Sequence, residues 1–228
     1  MPEASPEPEL QGLGIVAMGS FNPAIFQPFW FSGNRLIREE EAKDANVEII
    51  HHSAAIFSTS WFSVRVLENR FELDTSDPTM FQPTRDLILG TFRVLEHTPI
   101  DVFGFNRHQH FRMESEEAWH AFGHYYAPKT SWESIVTQPG MASLSISGKR
   151  EHAESKRVVI KIEPSARLHP GVYIQATEDY AIDKDKSQND QNYFFLQTVS
   201  KVWDDFVAYS DRVPKHLLTE FKKNQPDK

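Results

Sequence analysis

The sequence predicts an α+β protein built on a curved antiparallel sheet, with two long helices packed on one face. Runs rich in β-branched and aromatic residues are followed by segments with apolar residues at helical spacing. This order of strand, helix, several strands and long helix occurs twice, with the join near His97. The repeated order predicts an internal duplication. The alternative is an α+β sandwich without duplication.

The first unit opens on an apolar run bounded by glycines at 14–21, which suits a buried strand. Asn22 and Pro23 are typical of a helix start, while Pro28 interrupts any helix over 24–31. An antiparallel meander follows, because four short runs are rich in β-branched and aromatic residues. Its strands are predicted at 47–51, 54–59, 61–67 and 71–74.

A long helix closes each unit. Thr84 is the predicted cap of the first, in which Ile88 and Phe92 recur at helical spacing. The second is predicted from about 192 to 210, where apolar residues form one stripe. Between these helices the sequence predicts a strand at 100–111, a helix at 116–126 capped by Ser115, and strands at 141–148, 157–163 and 171–181.

The chain of 228 residues is long enough for one large domain. The leader alternates proline and glutamate and has no apolar stretch, so it does not resemble a signal peptide, and no run is long enough to span a membrane. We therefore predict a cytoplasmic protein without a membrane partner. The predicted parts are a disordered acidic leader (1–11), a first α+β unit (12–97), a second unit of the same domain (98–222) and a disordered tail (223–228).

The composition excludes several kinds of chemistry. There is no cysteine, which removes disulfides, thiolate metal sites, iron–sulfur clusters and cysteine nucleophiles. The net charge of -8 argues against broad binding to nucleic acid phosphates. Seventeen phenylalanines against five methionines predict a phenylalanine-rich interior.

Five of the ten histidines lie between residues 97 and 124, which raises the question of a metal. His108 and His110 share one face of a predicted strand, and His120 and His124 share one face of a predicted helix. Four imidazoles from two neighbouring elements would suit zinc. However, the helical pair lies opposite the apolar side of its helix and lacks the glutamate of a zinc protease motif. We predict no metal and no cofactor, and keep the four-histidine site as the alternative.

The polar end of the same predicted strand is the best candidate for ligand binding. It would present donors to a polar or anionic ligand, although a strand that simply emerges into solvent is the alternative. The candidates are Asn106, Arg107, His108 and His110.

Aromatic residues around Pro28 are the best candidates for an interface, because a broken helix need not bury all of them. Core packing is the alternative. These candidates are Phe26, Phe29, Trp30 and Phe31.

No nucleophile elbow or phosphate-binding glycine motif is present in the sequence. The paired acidic residues Glu178-Asp179 and Asp204-Asp205 are predicted to be surface charges.

The segment from Leu95 to Ile100, followed by Gly104 to Arg107 and His110, and preceded by Phe21 to Ala24, resembles a family of bacterial and phage-associated proteins of unknown function. The resemblance covers most of the chain and implies a bacterial or phage setting, with a role in phage–host conflict. The repeated element order also resembles the TATA-binding-protein saddle in topology alone. A minor-groove binder needs basic residues, and this chain is acidic.

The leading functional prediction is a non-catalytic interaction or assembly subunit of a bacterial or phage system, with a protein partner or a homo-oligomer. The first alternative is a ligand-binding module or metal-dependent enzyme that uses the histidine-rich segment 106–124. The second is nucleic-acid binding through a local basic patch that includes Arg107, Lys149 and Arg150.

Overall fold

The computed structural model describes residues 6–151, 155–183, 185 and 187–224. Within these ranges nine strands and five helices form an α+β fold, as predicted. The strands are β1 (Leu10–Gly19), β2 (Asn46–Ile50), β3 (Ala54–Ser58), β4 (Ser63–Leu67), β5 (Arg70–Thr75), β6 (Ile100–Arg112), β7 (Leu144–Gly148), β8 (Arg157–Pro164) and β9 (Gly171–Ala181). The helices are α1 (Pro28–Gly33), α2 (Glu39–Lys43), α3 (Phe81–Val94), α4 (Glu116–Tyr126) and α5 (Gln188–Lys223).

The nine strands form one antiparallel sheet in the order β2-β3-β4-β5-β1-β6-β9-β8-β7. The strands β1 and β6, which open the two predicted units, pair at its centre, with Gly14 opposite Asn106. The later strands of each unit extend outward from this pair in opposite directions. The prediction of an antiparallel sheet is therefore confirmed.

Side chains alternate between two faces of the sheet, as they must along any strand. On β6, Phe103 and Phe105 pack against α5, with ring centroids 4.8 Å from Phe195 and 5.6 Å from Trp203. We call this side the helix face. The residues that alternate with them along β6, such as Asn106, point to the opposite side, which we call the polar face. It carries Asn106 and His108 of β6 together with Gln175 and Thr177 of β9.

Aromatic packing dominates the larger core cluster. Phe71 of β5 lies 5.0 Å from Phe92 of α3, which in turn lies 4.9 Å from Phe195 of α5. Ten of the twelve largest fully buried side chains are phenylalanines, so the interior is phenylalanine-rich as the composition predicts.

The helix α5 is longer than predicted. It runs for 36 residues to Lys223 and passes through Pro214, whereas the sequence pattern predicted an end near residue 210. The helix continues past Pro214 because its second half packs into a second, smaller core cluster. In that cluster Leu218 and Phe221 are buried, and the Phe221 ring lies 5.2 Å from the Phe122 ring of α4. The disordered tail was predicted to start at residue 223, which is wrong because Lys223 belongs to α5. Residues 225–228 lie outside the described residues.

Other boundaries also differ from the prediction: β1 runs from 10 to 19 instead of 14 to 21, β4 and β7 start two and three residues later than predicted, and α5 starts at 188 instead of near 192. The predicted disordered leader includes Leu10, which belongs to β1 and pairs with His110, while residues 1–5 lie outside the described residues. The helix α3 begins at Phe81 instead of near Thr84. The reason is a preceding 3-10 turn at Pro78–Met80, where the Asp77 carboxylate accepts a hydrogen bond from the Thr79 amide at 2.9 Å.

In the part of the chain that the structure describes, no helix combines the length and apolar composition needed to cross a membrane.

Candidate functional site

Three of the four predicted ligand-binding residues lie together on the polar face. The Asn106 side-chain oxygen accepts a hydrogen bond from the Thr177 hydroxyl at 2.7 Å, and His110 Nδ1 lies 2.8 Å from Ser165 Oγ. The His108 ring lies over Gly12 of β1, where a Cβ atom would come within 2.3 Å of it. Asn106 and His110 thus already have hydrogen-bond partners within the protein, and His108 packs against the backbone of β1.

Arg107, the fourth candidate, points to the helix face. Its guanidinium donates to Asp211 of α5 at 3.1 Å and to the Gly12 carbonyl at 3.2 Å, and it lies 4.7 Å from the centre of the Phe81 ring. Only 3% of the residue is exposed. Arg107 therefore ties the sheet to α3 and α5, and the structure does not bring it together with the polar-face candidates.

Burial lowers the pKa of His108 from 6.5 to about 4, with smaller contributions from His110 and Arg107. Burial and Arg167 also lower the pKa of His110. Both rings therefore favour the neutral form in the folded protein.

We expect the free energy of unfolding to fall as the pH is lowered from about 6.5 to about 4. In this window the unfolded chain binds a proton at His108 that the folded chain does not bind, so acid favours unfolding. Above pH 6.5 the imidazole is neutral in both states and this contribution is absent. Denaturant unfolding across this window tests the effect, with His108→Gln expected to reduce the loss. The same pH dependence in both proteins would contradict it.

The structure does not assemble the alternative four-histidine site. His120 and His124 are exposed on α4, whereas His108 and His110 lie on the polar face with their ring centroids 6.3 Å apart. Among the described residues, no group of three or more histidine or acidic side chains is placed to hold a metal ion.

The aromatic interface candidates divide between the core and the surface. Phe26 and Phe31 are fully buried, and Trp30 packs against the same core cluster. Only Phe29 is largely exposed, at 62%.

The predicted basic patch is not formed, because two of its three members are already paired with acids. Arg107 pairs with Asp211, and Arg150 lies 2.6 Å from the Asp205 carboxylate. Lys149 alone among them has no carboxylate partner within the described part of the chain.

A different charged cluster emerges on the helix face of the second unit. Glu178 of β9 is completely buried, and its carboxylate lies 3.3 Å from the Arg150 guanidinium. The same Arg150 nitrogen contacts Asp205 of α5, and its guanidinium lies 4.7 Å from the centre of the Tyr209 ring. One arginine thus bridges a buried strand carboxylate and a helix carboxylate.

This cluster contains buried ionisable groups. Glu178 is paired with Arg150 and also interacts with the Tyr180 hydroxyl, and both Glu178 and Tyr180 are buried. Burial, aided by the charge of Glu178, raises the pKa of Tyr180 well above its usual value. Ionisable groups whose pKa is strongly shifted by burial and a specific charged neighbour cluster at functional sites.

This cluster was not predicted from the sequence, and the prediction that Glu178 is a surface charge is wrong because Glu178 is fully buried. The alternation along β9 is the signal that identifies it, because Glu178 shares the face of Val172, Ile174, Ala176 and Tyr180. Asp205 is exposed as predicted, with 63% of its side chain accessible.

Next to the cluster lies a cavity of about 890 Å3 between β7, β8 and the second half of α5. The lining residues of α5 recur every three or four positions, so one face of the helix forms the wall. Six aliphatic side chains line the cavity: Leu144, Ile146, Ile160, Ile162, Val213 and Leu217. Its polar lining includes Arg150, Asp205, Tyr209, Arg212 and His216.

Both the size and the lining of this cavity are typical of small-molecule sites, which are mostly apolar with a few polar groups. Arg150 and Asp205 belong both to the charged cluster and to the cavity wall. The cavity and the cluster therefore form one candidate site.

No protein-family model matches this chain, and no curated protein matches its sequence.

Proposed function

We propose that this protein binds an amphipathic small molecule in the cavity between α5 and the strands β7 and β8. The observation that carries this proposal is the cavity itself, about 890 Å3 in volume, with six aliphatic side chains and several charged groups in its lining. An apolar ligand body gains by leaving water, at about 0.8 kcal/mol for each buried methylene. A polar group on the ligand would face the side of α5 that carries Asp205, Tyr209 and Arg212.

The two units differ at this place, which supports a function specific to the second unit. In the first unit, Phe57 of β3 packs 5.6 Å from Phe31 of α1 and 6.0 Å from Phe62. In the second unit, β7 and β8 present Ile146 and Ile160 to the cavity instead. Aromatic side chains thus fill the first unit where the second leaves space.

We also propose that the two units are a duplicated pair on a curved sheet, with α3 and α5 as equivalent helices. Support comes from the central pairing of β1 with β6 and from the contact between the two helices. The Asn192 side chain of α5 donates to the Phe92 carbonyl of α3 at 3.0 Å. In this proposal, the second unit has diverged to hold a ligand.

Calorimetric titration with 1-hexanol and 1-octanol tests the ligand-binding proposal. Two additional methylenes should raise the affinity about fifteenfold if the chain enters the cavity. Ile160→Trp should place an indole ring where the alkyl chain packs against β8 and lower the octanol affinity at least about tenfold, which is less than the loss of all contacts of a fully buried chain.

Val159→Trp is the matched control, because Val159 adjoins Ile160 on β8 but points to the polar face. It should leave octanol binding unchanged. Absence of alkanol binding by the natural protein, or equal losses in both variants, would contradict the proposal.

A role as an interaction or assembly subunit in a bacterial or phage system stays a second candidate. The observation that favours it is an exposed apolar group after α4, with Trp132 55%, Ile135 74% and Val136 49% exposed. Light scattering tests the homo-oligomer version: a stable oligomer that Trp132→Ser dissociates would support it, and a monomer at all concentrations would contradict it.

A further inference from the structure

We infer that the ligand of this cavity carries a carboxylate and that Arg212 binds it. This inference rests on the proposed ligand-binding function and names the chemical class of the ligand. It follows from which charged groups at the cavity are already paired and which one is not.

The acidic groups of the cluster are engaged by one arginine. Arg150 lies 2.6 Å from the Asp205 carboxylate and 3.3 Å from that of Glu178. Glu151, also at the cavity, takes part in an interaction of its own. A ligand cation would therefore have to compete with cations that the protein already supplies.

Arg212 is different, because no carboxylate among the described residues lies within 4.0 Å of it. It is exposed at the rim of the cavity, and its neighbour Val213 is half-buried in the aliphatic wall. His216 lies four residues further along α5, on the same side of the helix, and also lines the cavity. The unpaired polar groups that α5 presents at the rim are therefore Arg212 and His216, and neither is acidic. Both lie next to the aliphatic wall of the cavity.

This arrangement matches an aliphatic monocarboxylate. The guanidinium fork binds a carboxylate with two parallel hydrogen bonds, and the alkyl chain extends towards Ile160 and Ile162. The carboxylate remains at the rim, where it keeps contact with water and avoids the cost of full burial. A phosphate monoester would carry a second negative charge. Among the described residues only one unpaired arginine, Arg212, lines the cavity, so the second charge would have no arginine partner.

Calorimetric titration of octanoate and 1-octanol into the natural protein and into Arg212→Gln tests the inference. The two probes share the same chain, so they separate the contribution of the charge from that of the apolar body. Arg212→Gln should weaken octanoate binding about two- to fivefold, the effect of an exposed ion pair, and leave octanol binding unchanged. Arg212→Glu should weaken octanoate binding further.

Arg93→Gln is the matched control. Arg93 is also exposed on a helix, has no ion pair among the described residues and does not line the cavity. It removes the same charge from the protein and should leave the binding of both probes unchanged. Because Arg212 is exposed and unpaired, its replacement leaves the fold intact.

The outcomes separate this inference from the proposed function. If octanol binds and octanoate binding does not depend on Arg212, or falls equally in Arg93→Gln, the carboxylate inference is overturned and the ligand-binding proposal stands. If neither probe binds the natural protein, both are overturned.

Discussion

Replacing Arg150 with methionine is expected to destabilise the protein by about 3–5 kcal/mol. The reason is that Glu178 is fully buried and Arg150 is its ion-pair partner, at 3.3 Å. Without the guanidinium, the Glu178 carboxylate would remain fully buried with no cation to compensate its charge. Denaturant unfolding, with the free energy extrapolated to water, measures the loss.

A neighbouring ion pair between β8 and β9 provides the matched control. Asp179 points to the polar face and pairs with Arg157 at 2.7 Å, but 57% of the Arg157 side chain is exposed. Exposed pairs contribute about 0–1 kcal/mol, so Arg157→Met should have a small effect.

The double replacement Arg150→Met and Glu178→Leu should recover much of the loss, because it removes both charges together. A double variant as unstable as Arg150→Met would show that the uncompensated carboxylate is not the cause.

Replacing Phe31 with alanine is expected to cost about 3–5 kcal/mol, as for other large aromatic residues in a core. Phe31 has no exposed surface, and its ring lies 5.6 Å from Phe57 and 6.4 Å from Phe26. Removing it would leave a cavity where three elements meet. Thermal and denaturant unfolding measure the change.

Phe29→Ala, on the same short helix, is the matched control. Phe29 is 62% exposed, so its loss should change stability by no more than about 0.5 kcal/mol. Equal destabilisation by the two variants would contradict the division of this aromatic group into core and surface. Phe29 remains the only member of the group with the exposure that an interface residue needs.

The elements with a clear local pattern were predictable from the sequence. The helix at 116–126 and the strand at 171–181 have the predicted bounds, because capping by Ser115 and the alternation of β9 are local signals. The end of α5 was not predictable in this way. Pro214 marks a helix end by local rules, but the packing of Phe221 against Phe122 overrides it.

The candidate site was less predictable, since it depends on pairing between distant segments. Arg150 lies in the connection between β7 and β8, Glu178 is 28 positions further along, and Asp205 belongs to α5. No spacing rule connects three residues of this kind. By contrast, the predicted group at Asn106 to His110 is contiguous in sequence, and strand alternation separates Arg107 from the others.

We propose above all that the cavity between α5 and the strands β7 and β8 is a ligand site. Its most direct test is a set of nuclear Overhauser effects between bound octanoate and the methyl groups of the protein. We expect contacts from the alkyl chain to Leu144, Ile160 and Val213. Contacts confined to an exposed apolar strand such as β2, which presents Val47 and Ile49, would contradict the claim.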